Sequence, residues 1–334
     1  MIFPWQLTTR LTGYLASNKL RRRERFPYVL MLEPLFRCNL ACAGCGRIRE
    51  FGDAVDRTLS REECVAAVEE SGAPVVSITG GEPLIHPEIG GIVADINRRR
   101  RIVYLCTNGL LLERSLPKFQ PGPYLSFVVH LDGQAATHDR NAGRPGVFDK
   151  ALSGIRAAKA AGFQVRTNTT IYSNSDLDEV RQLFRTLASC GVDGVMVSPA
   201  FSFDAVDNDI FLTRAQAHGI FRTLAPYSRR FRYSNTPLYW DFLSGLRTLQ
   251  CTPWSNPTRN PIGWKRPCYL ITDGHVPTFR ELMEDTDWER YGVGNDARCA
   301  NCMLHSGFEA SAIEAAGGSV KELWRMARWS LLGA

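Results

Sequence analysis

Between Tyr28 and Phe201 six short, apolar, β-branched runs alternate with stretches of helical character. The runs are Tyr28–Pro34, Pro74–Gly80, Ile102–Asn108, Tyr124–Asp132, Gln164–Ile171 and Gly194–Pro199. The helix-like stretches are Ser60–Glu70, Pro87–Arg100, Val147–Ala161 and Ser175–Cys190. Strands that are apolar almost throughout must be buried on both faces. In a β–α alternation this means a parallel sheet covered by helices. Six such runs predict a partial (β/α)6 barrel over residues 27–202. After Phe201 the alternation stops. A helical stretch at Thr213–Leu224 leads into a segment rich in Pro, Trp and Cys, so 203–334 is expected to form a smaller, cysteine-containing unit. Residues 1–26 form a separate N-terminal segment.

No apolar run approaches the roughly 20 residues of a spanning helix, and no small-residue cleavage site follows an apolar core at the N-terminus. Without export, ten cysteines read as thiolates kept for metal in a reducing cytoplasm rather than as disulfides. The net charge of +6 is uneven. Lys19, Arg21, Arg22, Arg23 and Arg25 follow Ile2, Phe3, Trp5, Leu7, Leu11 and Tyr14. Such an apolar-then-basic segment suits the anionic inner face of a membrane. It equally suits a helix packed on the body with a solvated basic end. No basic patch interleaved with aromatics recurs downstream, so nucleic acid is not an expected partner.

Cys38, Cys42 and Cys45 lie on the loop directly after the first strand, spaced C-x3-C-x2-C. A tight loop can bring three thiolates to three corners of one four-iron, four-sulfur cube, leaving the fourth iron open. A structural zinc would want a fourth donor, and the loop holds no histidine. Cys106, near the end of the third strand, is a thiol that can donate a hydrogen atom to a carbon radical; otherwise it is a small buried hydrophobe. Cys64 and Cys190 fall in helical stretches and read as core.

The cysteine loop resembles the signature of the radical S-adenosylmethionine superfamily. One departure is Gly44, where the usual residue before the third cysteine is aromatic. The resemblance continues at Gly80-Gly81-Glu82-Pro83, which matches the motif that binds the methionyl amino group of S-adenosylmethionine. Glycines allow close backbone approach, and Glu82 offers charge-assisted acceptors to an ammonium. In barrels of this class the strand C-terminal ends face the active site. Asn108, His130, Asp132 and Asn168 are therefore candidates for ribose and substrate contacts, or else loop caps.

Cys251 and Cys268 in a C-x11-G-x4-C pattern, with Cys299 and Cys302 following, resemble the twitch half of an auxiliary-cluster domain. A second cluster, a zinc on the same sulfurs and an empty site remain open; His305 lies near enough to compete as a ligand. Nearly the whole chain is similar to the adenosylhopene synthases of hopanoid biosynthesis. The matching stretches include Leu32–Cys38, Tyr104–Asn108, Cys251–Arg259, Gly263–Leu270, Glu284–Tyr291 and Cys299–Met303. That resemblance implies addition of a 5′-deoxyadenosyl radical to the alkene of diploptene, with quenching by the thiol at the position of Cys106. It also implies an external electron donor such as flavodoxin or ferredoxin.

Three stretches depart from that family. His305-Ser306-Gly307-Phe308-Glu309 lacks the cysteine usual at position 306, and Asn141–Pro145 and Phe201–Asp209 are altered. Loops at a barrel mouth set substrate choice, which leaves a nucleoside or sugar-nucleotide substrate as the second reading. An iron–sulfur scaffold or zinc module without turnover is the third class, and it would need no cofactor pocket.

Overall fold

The computed structural model describes residues 5–202, 206, 209–226 and 231–332, and of residues 5–7 and 332 the backbone alone. Ile2 and Phe3, the side chains of Trp5, Leu7 and Leu332, and most of the altered stretch 203–208 lie outside the described residues. The first half runs α1 (Trp5–Leu20), β1 (Val29–Leu32), α2 (Arg47–Glu50), α3 (Arg61–Ser71), β2 (Val75–Ile78), α4 (Ile89–Arg98), β3 (Ile102–Thr107) and α5 (Leu112–Ser115). It continues β4 (Leu125–His130), α6 (Ala135–Ala142), α7 (Val147–Ala160), β5 (Gln164–Ile171), α8 (Leu177–Ser189) and β6 (Gly194–Pro199). Then follow α9 (Arg214–Leu224), α10 (Pro237–Leu243), β7 (Thr258–Asn260), β8 (Gly263–Pro267), β9 (Thr272–Val276), α11 (Phe279–Glu284), α12 (His305–Ala316) and α13 (Val320–Leu332).

The six parallel strands stand in sequence order, with every neighbouring pair in register. This is the arrangement the apolar runs predict, and the sheet does not close. The helix boundaries follow local chemistry. Ser60 caps α3 by accepting from Glu63 N at 3.1 Å, and Glu63 returns the bond to Ser60 N at 2.7 Å. Such a reciprocal cap satisfies two amides that the helix leaves unpaired.

The C-terminal segment does not stand apart as a layer of its own. β7 pairs in parallel with β1, and β8 and β9 extend the same sheet as antiparallel strands. On the open side, α12 bridges β6 and the segment leading into β1. His305 at its start meets Ser198 at the end of β6, at 3.1 Å, and Glu314 near its end meets the hydroxyl of Tyr28 before β1, also at 3.1 Å. Propensity alone does not signal β7–β9, because these short segments mix Pro, Gly, polar and charged residues with single aromatics. Tertiary partners decide them.

The N-terminal segment is a helix packed on the body. Leu11 packs with Val29, Val75, Ile102 and Tyr124 at the starts of the first strands, and Tyr14 donates to Pro27 O at 2.7 Å. Of the two readings of this segment, Leu11 and Tyr14 therefore serve the packed one. No helix among the described residues is long and apolar enough to cross a membrane.

Candidate functional site

Cys38, Cys42 and Cys45 lie at the C-terminal end of the strands, on the loop after β1. Cys42 O accepts from Cys45 N at 3.2 Å, Ala43 N donates to Asn141 O at 2.9 Å, and the Arg49 guanidinium donates to Cys42 O at 3.1 Å and also to Cys45 O. Burial pushes the thiols of Cys38 and Cys42 up to about 11 and about 12, and the three sulfurs act on one another as like charges. Thiols so placed are protonated at neutral pH, and a metal or cluster would have to displace those protons to bind.

The motif after β2 is built against that loop. Gly80 has φ of +100°, and a Cβ there would strike Leu35 O; a Cβ at Gly81 would strike Arg37 O and Phe36 O. Gly81 N donates to Leu35 O at 3.0 Å and Glu82 N to Arg37 O at 2.9 Å. The glycine pair is thus required first by the backbone that leads into Cys38. Pro83 opens the short turn that follows.

Glu82 is 1% exposed. Its carboxylate accepts from Leu84 N at 3.0 Å, the Thr107 hydroxyl at 2.9 Å and Asn108 N at 2.8 Å. Burial raises its pKa to about 7 against those three hydrogen bonds. A carboxylate has about four lone-pair sites, so one remains for an ammonium. Asn108 in turn donates its amide to Asn39 Oδ1 at 2.8 Å and lies 3.9 Å from Cys38 Sγ.

On the next strands His130 Nε2 meets Asp132 Oδ2 at 2.8 Å. Burial works against the imidazolium, but Asp132 prevails and raises the pKa of His130. Asp132 Oδ1 also accepts from Thr170 N at 2.8 Å. Asn168 carries a buried amide oxygen with no hydrogen-bond partner, an acceptor left over for a ligand. Cys106 lies 3.6 Å from Ser77 Oγ, and burial pushes its pKa up to about 11. It therefore carries its hydrogen at neutral pH.

Cys251, Cys268, Cys299 and Cys302 line one cavity together with Phe201, Pro253, Tyr269, Leu270, Ile271 and Phe308. Gly307 makes room for it, since a Cβ there would lie 2.5 Å from Cys251 Sγ. Burial pushes the Cys302 thiol up to about 12 and raises Cys251 well above its usual value; the Arg214 guanidinium works the other way on both. Arg214 itself is fixed to Cys302 O at 2.7 Å. Among the described residues no three His, Cys, Asp or Glu side chains converge on one point, the arrangement a single ion needs. Thiolates on a cluster each bind a different iron and need not converge. Ser306 lines the same cavity, whereas His305 turns to Ser198 and is not among its lining residues.

Comparison with known families places two profiles on the chain. Residues 32–187 match the radical SAM superfamily, and residues 195–326 match a domain of unknown function, DUF3463. Residues 32–187 belong to the radical SAM superfamily. Its members are enzymes that use a four-iron, four-sulfur cluster and S-adenosylmethionine.

An AdoMet-dependent heme synthase of Methanosarcina barkeri is 31% identical over 170 residues, 49% of this chain and 48% of that protein. A probable GTP 3′,8-cyclase of Pyrobaculum aerophilum is 28% identical over 252 residues, 71% of this chain and 78% of that protein. The chain spans about half the length of several curated relatives it matches. The fold is shared with SuiB of Streptococcus suis, solved bound to its precursor peptide SuiA, at a TM-score of 0.65 and 15% identity over 92% of this chain and 77% of that one.

The radical SAM domain contains residues that the motifs do not announce. A Cβ on Gly44 would lie 2.7 Å from the hydroxyl of Tyr172, so a ring from the segment after β5 fills the space beside the cluster loop. His138 on α6 accepts from Asp132 N at 3.3 Å, and burial lowers its pKa to about 4. Arg47, two positions after Cys45, is 4% exposed and meets Glu33 at 3.4 Å and Glu50 at 2.9 Å. Arg47 also donates to Tyr269 O, the carbonyl next to Cys268 that Lys265 reaches at 2.8 Å. This buried charge network joins the two cysteine regions. A long-range ion pair has no spacing signature, so sequence reading passes over it.

Proposed function

We propose that the protein cleaves S-adenosylmethionine reductively and joins the adenosyl group to an alkene of the hopene class, giving adenosylhopane. When bound, the cluster and S-adenosylmethionine supply a 5′-deoxyadenosyl radical. The residues of this chain then have distinct tasks. Cys38, Cys42 and Cys45 hold the cluster. Glu82 fixes the turn beside it and offers its remaining acceptor site to the methionyl ammonium, with Gly80, Gly81 and Pro83 setting the turn's path. Asn108, His130, Asp132 and Asn168 face the nucleoside and the substrate. The substrate is a small molecule or lipid, and the electron comes from an external donor such as flavodoxin or ferredoxin.

The observation that carries this reading is Cys106. It is a protonated thiol on the strand that also presents Thr107 and Asn108 to Glu82. Addition to an alkene leaves a carbon radical that needs one hydrogen atom. Cys106 transfers it from sulfur to carbon, and the sulfur radical then takes one electron and one proton from the reductant and solvent. We further propose that Cys251, Cys268, Cys299 and Cys302 hold a second iron–sulfur cluster, supported by their shared cavity and the neighbouring Arg214 cation.

The second reading is hydrogen abstraction from a nucleoside or sugar nucleotide. It is favoured by the buried polar side chains Glu33 just after β1, Arg166 on β5 and Lys265 on β8. The test is anaerobic incubation of reconstituted protein with reductant, S-adenosylmethionine and diploptene, read by mass. An adduct one adenosyl group heavier supports the proposal. Cofactor cleavage to 5′-deoxyadenosine with no adduct sends the assignment to the second reading.

A further inference from the structure

Three segments far apart in sequence meet at the end of the sheet opposite the cluster loop. Helix α1 packs beneath the starts of β1–β3 through Leu11. Helix α13 lies antiparallel beside it. Thr8 meets Ser330 at 3.5 Å, and Lys19 at the other end of α1 lies against Gly317, just before α13. The turn from α4 into β3 supplies Arg98, Arg99, Arg100 and Arg101, and Arg10 and Arg23 reach the same neighbourhood through Arg101 and Tyr14.

The surface so formed is basic and apolar together. Lys19, Arg21, Arg22 and Arg23 are exposed, as are Lys321 and Arg328 on α13. Only part of the neighbouring charge is neutralised, since Arg98 pairs with Asp95 and Arg99 with Glu69. Of the nine exposed large apolar side chains among the described residues, five belong to this helix pair: Leu20, Val320, Leu323, Trp324 and Leu331. Val320, Leu323, Trp324 and Leu331 follow helical spacing along one face of α13. The opposite face is tied down, with Arg325 on Asp241 at 2.8 Å, Glu322 on Arg247 at 2.5 Å and Trp329 Nε1 on Tyr233 O at 3.3 Å.

We propose that this face docks on an anionic lipid bilayer, with Trp324 and its apolar neighbours entering the interface and the arginines of α1 and the α4–β3 turn meeting the headgroups. A helix with tryptophan and leucine on its outer face, ringed by Lys and Arg, has the composition of an interfacial anchor. A nucleic-acid partner would not reward the exposed leucines. The face opposes the Cys38–Cys45 loop, so docking holds the cluster away from the bilayer and open to a soluble reductant. It holds whichever substrate the barrel takes, because it makes no use of the barrel mouth.

The test is sedimentation of the full chain with phosphatidylcholine vesicles, with and without phosphatidylglycerol, at low and high salt. Trp324→Glu and the combined change Arg21→Glu, Arg22→Glu, Arg23→Glu serve as variants, and thermal unfolding confirms that each folds. The expected result is sedimentation with phosphatidylglycerol vesicles at low salt, release at high salt, and at least about a tenfold loss of partitioning in either variant. Absence of lipid binding by the unaltered chain overturns the proposal. So does binding that both variants retain, or a Trp324→Glu change that only converts a dimer to a monomer. Cofactor cleavage in solution, measured alongside, reads the barrel chemistry separately.

Discussion

Gly44 and Tyr172 occupy one space: a Cβ on the glycine would lie 2.9 Å from Cε1 of the tyrosine ring. The ring is buried beside the thiols of Cys42 and Cys45, and burial holds its hydroxyl protonated. The absence of an aromatic side chain at position 44 is thus matched by an aromatic from the segment after β5. Gly44→Phe alone should disorder the loop and lower iron content on reconstitution. Gly44→Phe with Tyr172→Ala should restore it toward the original value. Iron per chain measures this, and equal loss in both variants would show that the two positions are not exchanging one volume.

Cys106→Ala should separate cleavage from quenching. Cofactor cleavage is expected to stay within about twofold, while product falls about tenfold or more, or changes stereochemistry, because the lost group acts only after the first radical step. Product and 5′-deoxyadenosine are quantified in the same reaction. Unchanged product yield and stereochemistry would return Cys106 to a packing role.

Glu82→Gln replaces one acceptor by an NH2 group that must face a donor among Leu84 N, Thr107 Oγ1 and Asn108 N. A buried donor left unpaired costs about 1–3 kcal/mol. The metal-free protein should lose stability by that order in urea unfolding. An unaltered midpoint would mean that the turn repacks without the carboxylate.

His305 is buried against Ser198, and burial lowers its pKa to about 4. In the unfolded chain the group titrates near 6.5. Above that pH the neutral ring carries no penalty in the fold. As pH falls from 6.5 toward 4, the unfolded state gains a proton that the native state refuses, and stability is lost. The metal-free protein should therefore lose about 2 kcal/mol from this group between pH 7 and pH 5. Urea midpoints at the two pH values, compared with those of His305→Gln, isolate the contribution. An equal pH slope in both proteins would exclude it.

The two cysteine sets should load metal independently. After joint replacement of Cys38, Cys42 and Cys45 by alanine, anaerobic reconstitution should leave iron on Cys251, Cys268, Cys299 and Cys302 while abolishing cofactor cleavage. Iron and zinc analysis of that variant decides the occupant. Zinc alone would correct the second-cluster proposal, and neither metal would leave the four thiols a packing role.

The sequence is most legible where one local rule acts alone. β5 and β6 carry the limits their apolar runs predict, and α3 starts one residue after Ser60 because its cap is local. The cysteine loop and the Gly80–Pro83 turn are readable by spacing. The reason for the glycines is not, since the backbone they approach lies more than 40 residues earlier in the chain. Arg47, Lys265 and Tyr172 stay hidden for the same reason: each owes its place to a partner distant in sequence. Trp329 likewise owes its buried place to a distant partner, Tyr233 O, which accepts its indole N–H.

The pairing of β7 with β1 has a consequence for anyone who would exchange parts between such proteins. β1 is the seam of the molecule: it gives one edge to β2 and the other to β7, and it feeds directly into the cysteine loop. Cutting the chain after β6 would not release a finished barrel. It would bare the hydrogen-bonding edge of β1 and remove α12 from the open side of the sheet. An exposed apolar strand edge invites pairing with another chain. Chimeras that graft a foreign C-terminal half must therefore match β1 and its loop as well, so the practical unit of inheritance is larger than either profile alone.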